Sequence, residues 1–178
     1  MIPRYKVQEI HDIWKTDNKL NTWLKVELAH LEALLINSEN KTITEEELIT
    51  IKENVKVDKD RWKEIESVTN HDLQAFVQML EESIPDNSGR WIHYGLTSSD
   101  IIDTSLVLLC KESLKVVIDY CAIACYHIND LIKNEKANNK ILSRTHGKVA
   151  EVQTYYNIFI RWAHLIRRAF DDILMTSS

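Results

Sequence analysis

The sequence predicts an all-α protein, and two observations carry the prediction. Only 3 glycines and 2 prolines occur in 178 residues, which is too few for the turns that strands and hairpins usually need. Apolar residues also recur at steps of three and four, the period of a helix with one buried face. The segment "NKLNTWLKVELAHLEALLI" shows this clearly, with a single polar exception, Glu27, inside its apolar stripe.

Helix-start signals place the following elements. Thr44, with Glu47 three residues later, has the spacing of a capping box. Asp58 is a predicted N-cap of the next helix, and "NHDLQAFVQMLEESI" forms another that ends near Pro85. Four short helices therefore precede residue 97.

Two long helices are predicted for the rest of the chain. The first begins at Ser98 or Ser99 and runs to about Lys136, and the second runs from near Gly147 almost to the C-terminus. The segment "NEKANNKILSRTHG" links them. We expect a helical domain over residues 1–97 and, over 98–178, the first part of a truncated central helix bundle, because two wide apolar faces need further helices to cover them.

Composition narrows the function classes. A net charge of −5 disfavours nucleic acid as the main partner. No uncharged apolar run reaches the ~18 residues of a membrane span, and the first ten residues lack the apolar region of a signal peptide. Three cysteines lie in apolar helical stretches, which predicts reduced, buried thiols and a cytoplasmic location: Cys110, Cys121 and Cys125.

Three of the seven histidines lie in helix-start or breaker segments: His71, His93 and His146. Histidine exchanges a proton near neutral pH, and Thr97 and Ser98 at a helix start can bind an anion through free backbone N–H groups. These segments suit an enzyme that moves protons on an anionic substrate. Each is equally compatible with a plain helix cap or turn.

The other histidines follow helical patterns, which favours a structural role: His11, His30, His127 and His164. The spacing of Cys121, Cys125 and His127 matches no common metal motif, so we expect no metal site. Nucleotide-binding glycine loops and nucleophile-elbow motifs do not occur in the sequence either. We therefore expect no cofactor.

Four segments together resemble the N-terminal part of the adenylosuccinate lyase family, within the fumarase/aspartase superfamily. They are "PRYKVQEIHDIW", "NVKVDKDRWKEIESVTNHDLQAFV", "HYGLTSSDIIDTS" and "RTHG", and they follow the family's order and approximate spacing from Arg4 to about Glu151. The resemblance implies a helical homotetramer that releases fumarate by β-elimination. Its substrates would be adenylosuccinate, which gives AMP, and the succinyl-carboxamide ribotide of purine biosynthesis.

The resemblance also implies site residues. His146 would be the general acid, with Thr145 beside it as a substrate contact. His71 would be a second catalytic histidine, flanked by Asn70 and Asp72. The remaining contacts would bind a substrate carboxylate, at Thr97 and Ser98, and the nucleotide end near its phosphate, at Arg4 and Tyr5.

Two features set this chain apart from the family pattern. The family's catalytic base is a serine in a loop that would come after Ser178, so we expect the isolated chain to be inactive. The family pattern after "RTHG" is close to "GxHAEPTTFG", whereas this chain has "GKVAEVQTYYN". This departure and the uncovered bundle face leave open an alternative, a non-catalytic helical module that self-associates or binds a partner helix.

Overall fold

The computed structural model describes residues 2–37 and 43–177 and confirms the all-α fold class. Its α-helices are α1 (Gln8–Ile13), α2 (Thr16–Asn37), α3 (Glu45–Asn54), α4 (Lys59–Thr69), α5 (Asp72–Ser83), α6 (Ser98–Lys133) and α7 (Tyr155–Ser177), with one hairpin of β1 (Lys140–Thr145) and β2 (Lys148–Thr154). The chain forms two compact units, residues 1–110 and 111–178. The domain boundary predicted at residue 97 stays a prediction.

The predicted caps of the first unit are confirmed. Thr44 accepts a hydrogen bond from the Glu47 N–H, and the Glu47 carboxylate accepts one from the Thr44 N–H at 2.9 Å, so the capping box is complete. The carboxylate of Asp58 accepts from two backbone N–H groups of the first turn of α4. Helix α1 has no counterpart in the sequence prediction; it is a six-residue helix without buried residues.

The core of the first unit forms where α2, α4 and α5 pack together. Phe76 of α5 is fully buried, and its ring meets Trp23 of α2 edge to face at a centroid distance of 5.3 Å. Leu20 and Leu31, also on α2, are fully buried. Each side chain of this size stabilises the fold by about 1.5–3 kcal/mol when buried. The apolar stripe predicted for α2 therefore faces the core.

The second unit corrects the predicted start of the last helix. That helix begins at Tyr155, not near Gly147, and the residues before it form the antiparallel hairpin. His146 and Gly147 have φ angles of 49° and 77°, the positive values that a two-residue hairpin turn needs. Thr154 accepts a hydrogen bond from the Asn157 N–H and caps α7. His146 and Gly147 thus form the turn of a hairpin, whereas the sequence prediction placed a helix start there.

The cysteine prediction is wrong with respect to burial. All three thiols are free, but Cys110 is exposed and Cys121 and Cys125 are half-buried. Large apolar neighbours on α6, such as Val107 and Tyr126, are exposed as well, so the apolar stretches of this helix are not covered as the prediction assumed. Apolar sequence surroundings therefore did not mean a buried position. None of the helices in the described ranges is long and apolar enough to span a bilayer.

The capping box gives a first prediction. Thr44→Ala removes the acceptor for the Glu47 N–H, and we expect it to lower the free energy of unfolding by about 1 kcal/mol. Urea denaturation measures the change. Thr50→Ala, in the same helix, is the matched control because the Thr50 hydroxyl only donates back to the Glu46 carbonyl. Equal losses in the two variants would contradict a stabilising role of the cap.

The contact between α4 and α5 gives a prediction about pH. Arg61 donates to both oxygens of Glu82, at 2.8 and 2.9 Å, and chiefly through these bonds lowers the pKa of Glu82 to about 2. An unfolded glutamate has a pKa of about 4.3. The pair therefore stabilises the fold above pH ~4.3, and this contribution is lost as the pH falls towards about 2.

We expect Glu82→Gln to lower the free energy of unfolding by a small, salt-dependent amount at neutral pH, because the pair is solvent-exposed. This deficit should shrink as the pH falls from ~4.3 towards 2. Urea unfolding over a pH series measures it, with Glu53→Gln as a control for exposed glutamates. A deficit that is constant throughout the acid range would disprove the assignment.

Candidate functional site

A cavity of about 170 Å³ lies in the first unit at the starts of two helices. His71 is the residue before α5, Gln74 lies in its first turn, and Ser98 is the first residue of α6. His93 belongs to the connecting segment between these helices. Leu73 and Val77 complete the lining. Of the predicted site residues, His71 and Ser98 are thus brought to one cavity.

His71 is the N-cap of α5. Its Nδ1 accepts a hydrogen bond from the Gln74 N–H at 3.2 Å, in place of the usual Ser, Thr, Asp or Asn oxygen. A ring nitrogen that accepts carries no proton, so the proton of the neutral His71 ring is on Nε2. The two open interpretations of this segment, helix cap and site residue, are therefore compatible, because the cap uses only one ring nitrogen.

His93 is held by a buried carboxylate that the sequence prediction did not include in the site. Glu27 of α2 is 0% exposed, and its two oxygens lie 2.8 Å from His93 Nδ1 and 2.9 Å from the His93 backbone N. His93 has a φ of 62°, an uncommon left-handed conformation for a residue with a side chain. The sequence did contain a signal: Glu27 was the polar exception in the apolar stripe of α2.

A second bond joins α2 to the same segment. His30, three residues after Glu27, has its Nε2 at 2.8 Å from the Tyr94 carbonyl oxygen. A carbonyl only accepts, so this ring carries its proton on Nε2. The structural role predicted for His30 is consistent with this contact, which joins α2 to Tyr94, the residue after His93.

Asp100, in the first turn of α6, binds the residue that precedes this helix. The Asp100 carboxylate accepts from the Thr97 N–H at 2.8 Å, and the Asp100 N–H donates to the Thr97 carbonyl at 3.0 Å. Helix α6 begins at Ser98, as predicted. The N-terminus of a 36-residue helix attracts negative charge through its free N–H groups. The Thr97 N–H is taken by Asp100, and the predicted binding of a substrate carboxylate by Thr97 and Ser98 stays a prediction.

Asn70 and Asp72 flank His71 in sequence but have other surroundings. Asn70 ends α4 in the left-handed conformation, with a φ of 53°. The Asp72 carboxylate lies 3.7 Å from the Lys19 ammonium, and both residues line a different, mainly apolar cavity that also includes Trp14 and Trp23. The structure therefore assigns Asp72 an ion pair, and its predicted contact with substrate stays a prediction.

The remaining predicted residues lie in two turns. Arg4 and Tyr5 belong to a 3-10 turn at Pro3–Tyr5, where the Arg4 guanidinium lies 4.9 Å from the centre of the Tyr5 ring. Thr145 ends β1, and His146 is exposed in the hairpin turn of the second unit. Their predicted roles stay predictions. Within the described ranges, no three His, Cys, Asp or Glu side chains are grouped to hold a metal ion.

Comparison with solved structures identifies the fold. A fumarate lyase from Mesorhizobium sp. BNC1 matches with a TM-score of 0.82 and 17% identity, over 93% of this chain and 39% of that one. A beta-carboxy-cis,cis-muconate cycloisomerase from Acinetobacter calcoaceticus sp. ADP1 matches with a TM-score of 0.80 and 20% identity, over 95% of this chain and 40% of that one. At these identities the similarity shows the fold alone.

Sequence comparison identifies the family. The chain belongs to the family described as Lyase, whose model matches residues 4–176. It is 33% identical to an adenylosuccinate lyase of Bacillus subtilis (strain 168), over 94% of this chain and 38% of the relative. It is 35% identical to one of Aquifex aeolicus (strain VF5), over 98% of this chain and 39% of the relative. The predicted resemblance is confirmed, and the chain spans about two fifths of the length of these relatives.

His71 allows its two roles to be separated by substitution. His71→Ala removes both the cap and the imidazole, and we expect it to lower the free energy of unfolding by about 1 kcal/mol. His71→Asn keeps a good cap and should restore that stability without restoring the ring. Urea unfolding measures both. If the two variants are equally destabilised, the hydrogen bond from Gln74 does not stabilise α5.

Proposed function

We propose that this chain is the N-terminal portion of an adenylosuccinate lyase and supplies part of its active site. The observation that carries the proposal is the convergence of His71, His93 and Ser98 on one cavity, in a chain of the lyase family. Two imidazoles beside a helix N-terminus combine proton transfer with anion binding, which are the two requirements of β-elimination from a succinyl nucleotide.

In this proposal the chain contributes the acid side of the reaction. A base removes a proton from the carbon next to a substrate carboxylate, the C–N bond breaks, and an acid protonates the leaving nitrogen. His146 is the proposed acid and His71 the assisting histidine. A general acid of this kind typically contributes 10²–10⁴-fold in rate. The base is proposed to lie outside this chain, so the chain needs further residues for turnover.

The proposed binding residues fall into sets that bind different groups of the substrate. Thr97 and Ser98 bind a substrate carboxylate at the start of α6. Arg4 binds the nucleotide phosphate, with Tyr5 beside it, because a guanidinium matches the geometry of phosphate oxygens. Asn70, Asp72 and Thr145 complete the proposed contacts. No cofactor is required, because proton transfer and anion binding account for the elimination.

A second candidate is a non-catalytic module that associates through α6 and α7. The observation that favours it is the exposure of large apolar side chains on both helices, which would be costly to leave in water. Examples are Ile123, Tyr126, Trp162, Leu165 and Met175. A stable, defined oligomer of the 178-residue chain in analytical ultracentrifugation would support self-association, and a homotetramer is the assembly we propose on the lyase hypothesis.

Complementation tests the lyase proposal. We expect this chain, mixed with the part of the Bacillus subtilis adenylosuccinate lyase that it does not match, to release fumarate from adenylosuccinate. His71→Gln and His146→Gln should each reduce the rate by about 10²-fold or more. His164→Gln, an exposed histidine of α7, is the control and should keep the rate. A folded complex without fumarate release, or with release unaffected by both substitutions, would refute the proposal.

A further inference from the structure

We propose that Glu27 is a positioning residue that keeps a proton on Nδ1 of His93, so that only Nε2 of His93 exchanges protons with a bound substrate. When both rings are neutral, the cavity then offers one donor, the Nε2–H of His71, and one acceptor, the Nε2 of His93. The inference rests on the proposed function only in treating the cavity as part of a lyase site.

With Glu27 ionised, its hydrogen bonds require this arrangement. An ionised carboxylate only accepts, and a backbone N–H only donates. One oxygen of Glu27 is 2.9 Å from the His93 backbone N, and the other is 2.8 Å from Nδ1. Since Nδ1 faces an acceptor, it must carry a proton. The remaining ring nitrogen, Nε2, is the one left for the cavity that His93 lines.

The burial of Glu27 argues against a role in packing alone. The side chain is 0% exposed within the apolar stripe of α2, where burying a charge is costly unless it is paired. A leucine or methionine would fill such a core position without that cost. Both Glu27 oxygens bind the same residue, so the carboxylate fixes the conformation of His93 and the orientation of its ring together.

His71 has the opposite arrangement in the same cavity. Its Nδ1 accepts from the Gln74 N–H, which leaves the proton of the neutral ring on Nε2. Two histidines lining one cavity thus have different tautomers in this proposal, each set by the hydrogen-bond partner of its Nδ1. In the proposed site His71 donates a hydrogen bond to the substrate through Nε2, and His93 accepts one through Nε2.

The glutamine variant makes the proposal testable. Glu27→Gln replaces one acceptor by an NH₂ donor. The His93 backbone N–H is always a donor, so it binds the remaining side-chain oxygen of the new amide in the variant. The NH₂ group of that amide then faces Nδ1 of His93. His93 should then change tautomer and carry its proton on Nε2. We expect Nδ1–H in the unchanged chain and Nε2–H in the variant.

Nitrogen-15 NMR of the histidine rings in the 178-residue chain measures the tautomer of His93 at the neutral end of a pH series. The loss of signals in His93→Gln identifies the His93 ring. His30 and His71 are internal controls and should show Nε2–H in every sample. Glu32→Gln, on the same helix and paired with Lys52 at the surface, is the matched control and should leave His93 unchanged.

Two outcomes would overturn the proposal. A wild-type His93 with its proton on Nε2 would mean that Glu27 is protonated and donates to the ring. A folded Glu27→Gln variant that keeps Nδ1–H would mean that Glu27 does not set the tautomer. If the variant fails to fold, the wild-type spectrum still decides, because the proposal requires Nδ1–H there.

The same variant has a kinetic expectation in the complemented enzyme. Fumarate release should fall by about 10–100-fold, by analogy with the loss typical when a side chain that orients a metal-bound histidine is removed. The tautomer measurement needs no activity. If complementation fails but His93 changes tautomer, the proposed function is rejected and the role of Glu27 stands. If complementation succeeds and the tautomer does not change, the reverse holds.

Discussion

The first unit depends on one buried carboxyl group, that of Glu27. Glu27 lies fully buried in the core face of α2, and its carboxylate is bound by the ring and backbone of His93. Breaking a buried pair by removing one partner typically costs about 3–5 kcal/mol, because a charge is left without compensation. Together with the bond from His30 to the Tyr94 carbonyl, this pair fixes the segment before α6 against α2.

The helix starts in this unit combine caps with the cavity of the proposed site. One ring nitrogen of His71 accepts a hydrogen bond from a backbone N–H in the first turn of α5, and the other ring nitrogen remains available. Asp100 satisfies the Thr97 N–H at the start of α6, while Ser98 lines the cavity. A side chain that caps a helix has its backbone fixed by that helix, which reduces the entropy lost when the site binds a ligand. In the proposed site, the capping residue His71 therefore also lines the cavity.

The second unit presents His146 by a different principle. The turn at His146 and Gly147 uses positive φ at both positions, and the paired strands on either side fix its geometry. The Arg144 guanidinium donates to the Gly147 carbonyl at 3.1 Å and closes the turn from one side. The predicted acid therefore lies on a short hairpin, where a neighbouring residue can be substituted without disturbing a helix.

The sequence by itself determined the helices α2 to α5 of the first unit, two of their caps and the start of α6, because these depend on local periodicity and on side chains within a turn of each other. It did not indicate α1, which buries no residue. It also indicated Glu27 as an exception, but not its partner, which is 66 residues away. Only the tertiary structure paired Glu27 with His93. It also placed the side chains of the neighbours His71 and Asp72 in different cavities, and it showed a hairpin where a helix start was predicted at Gly147. These features depend on long-range packing and on strand pairing, which local patterns do not encode.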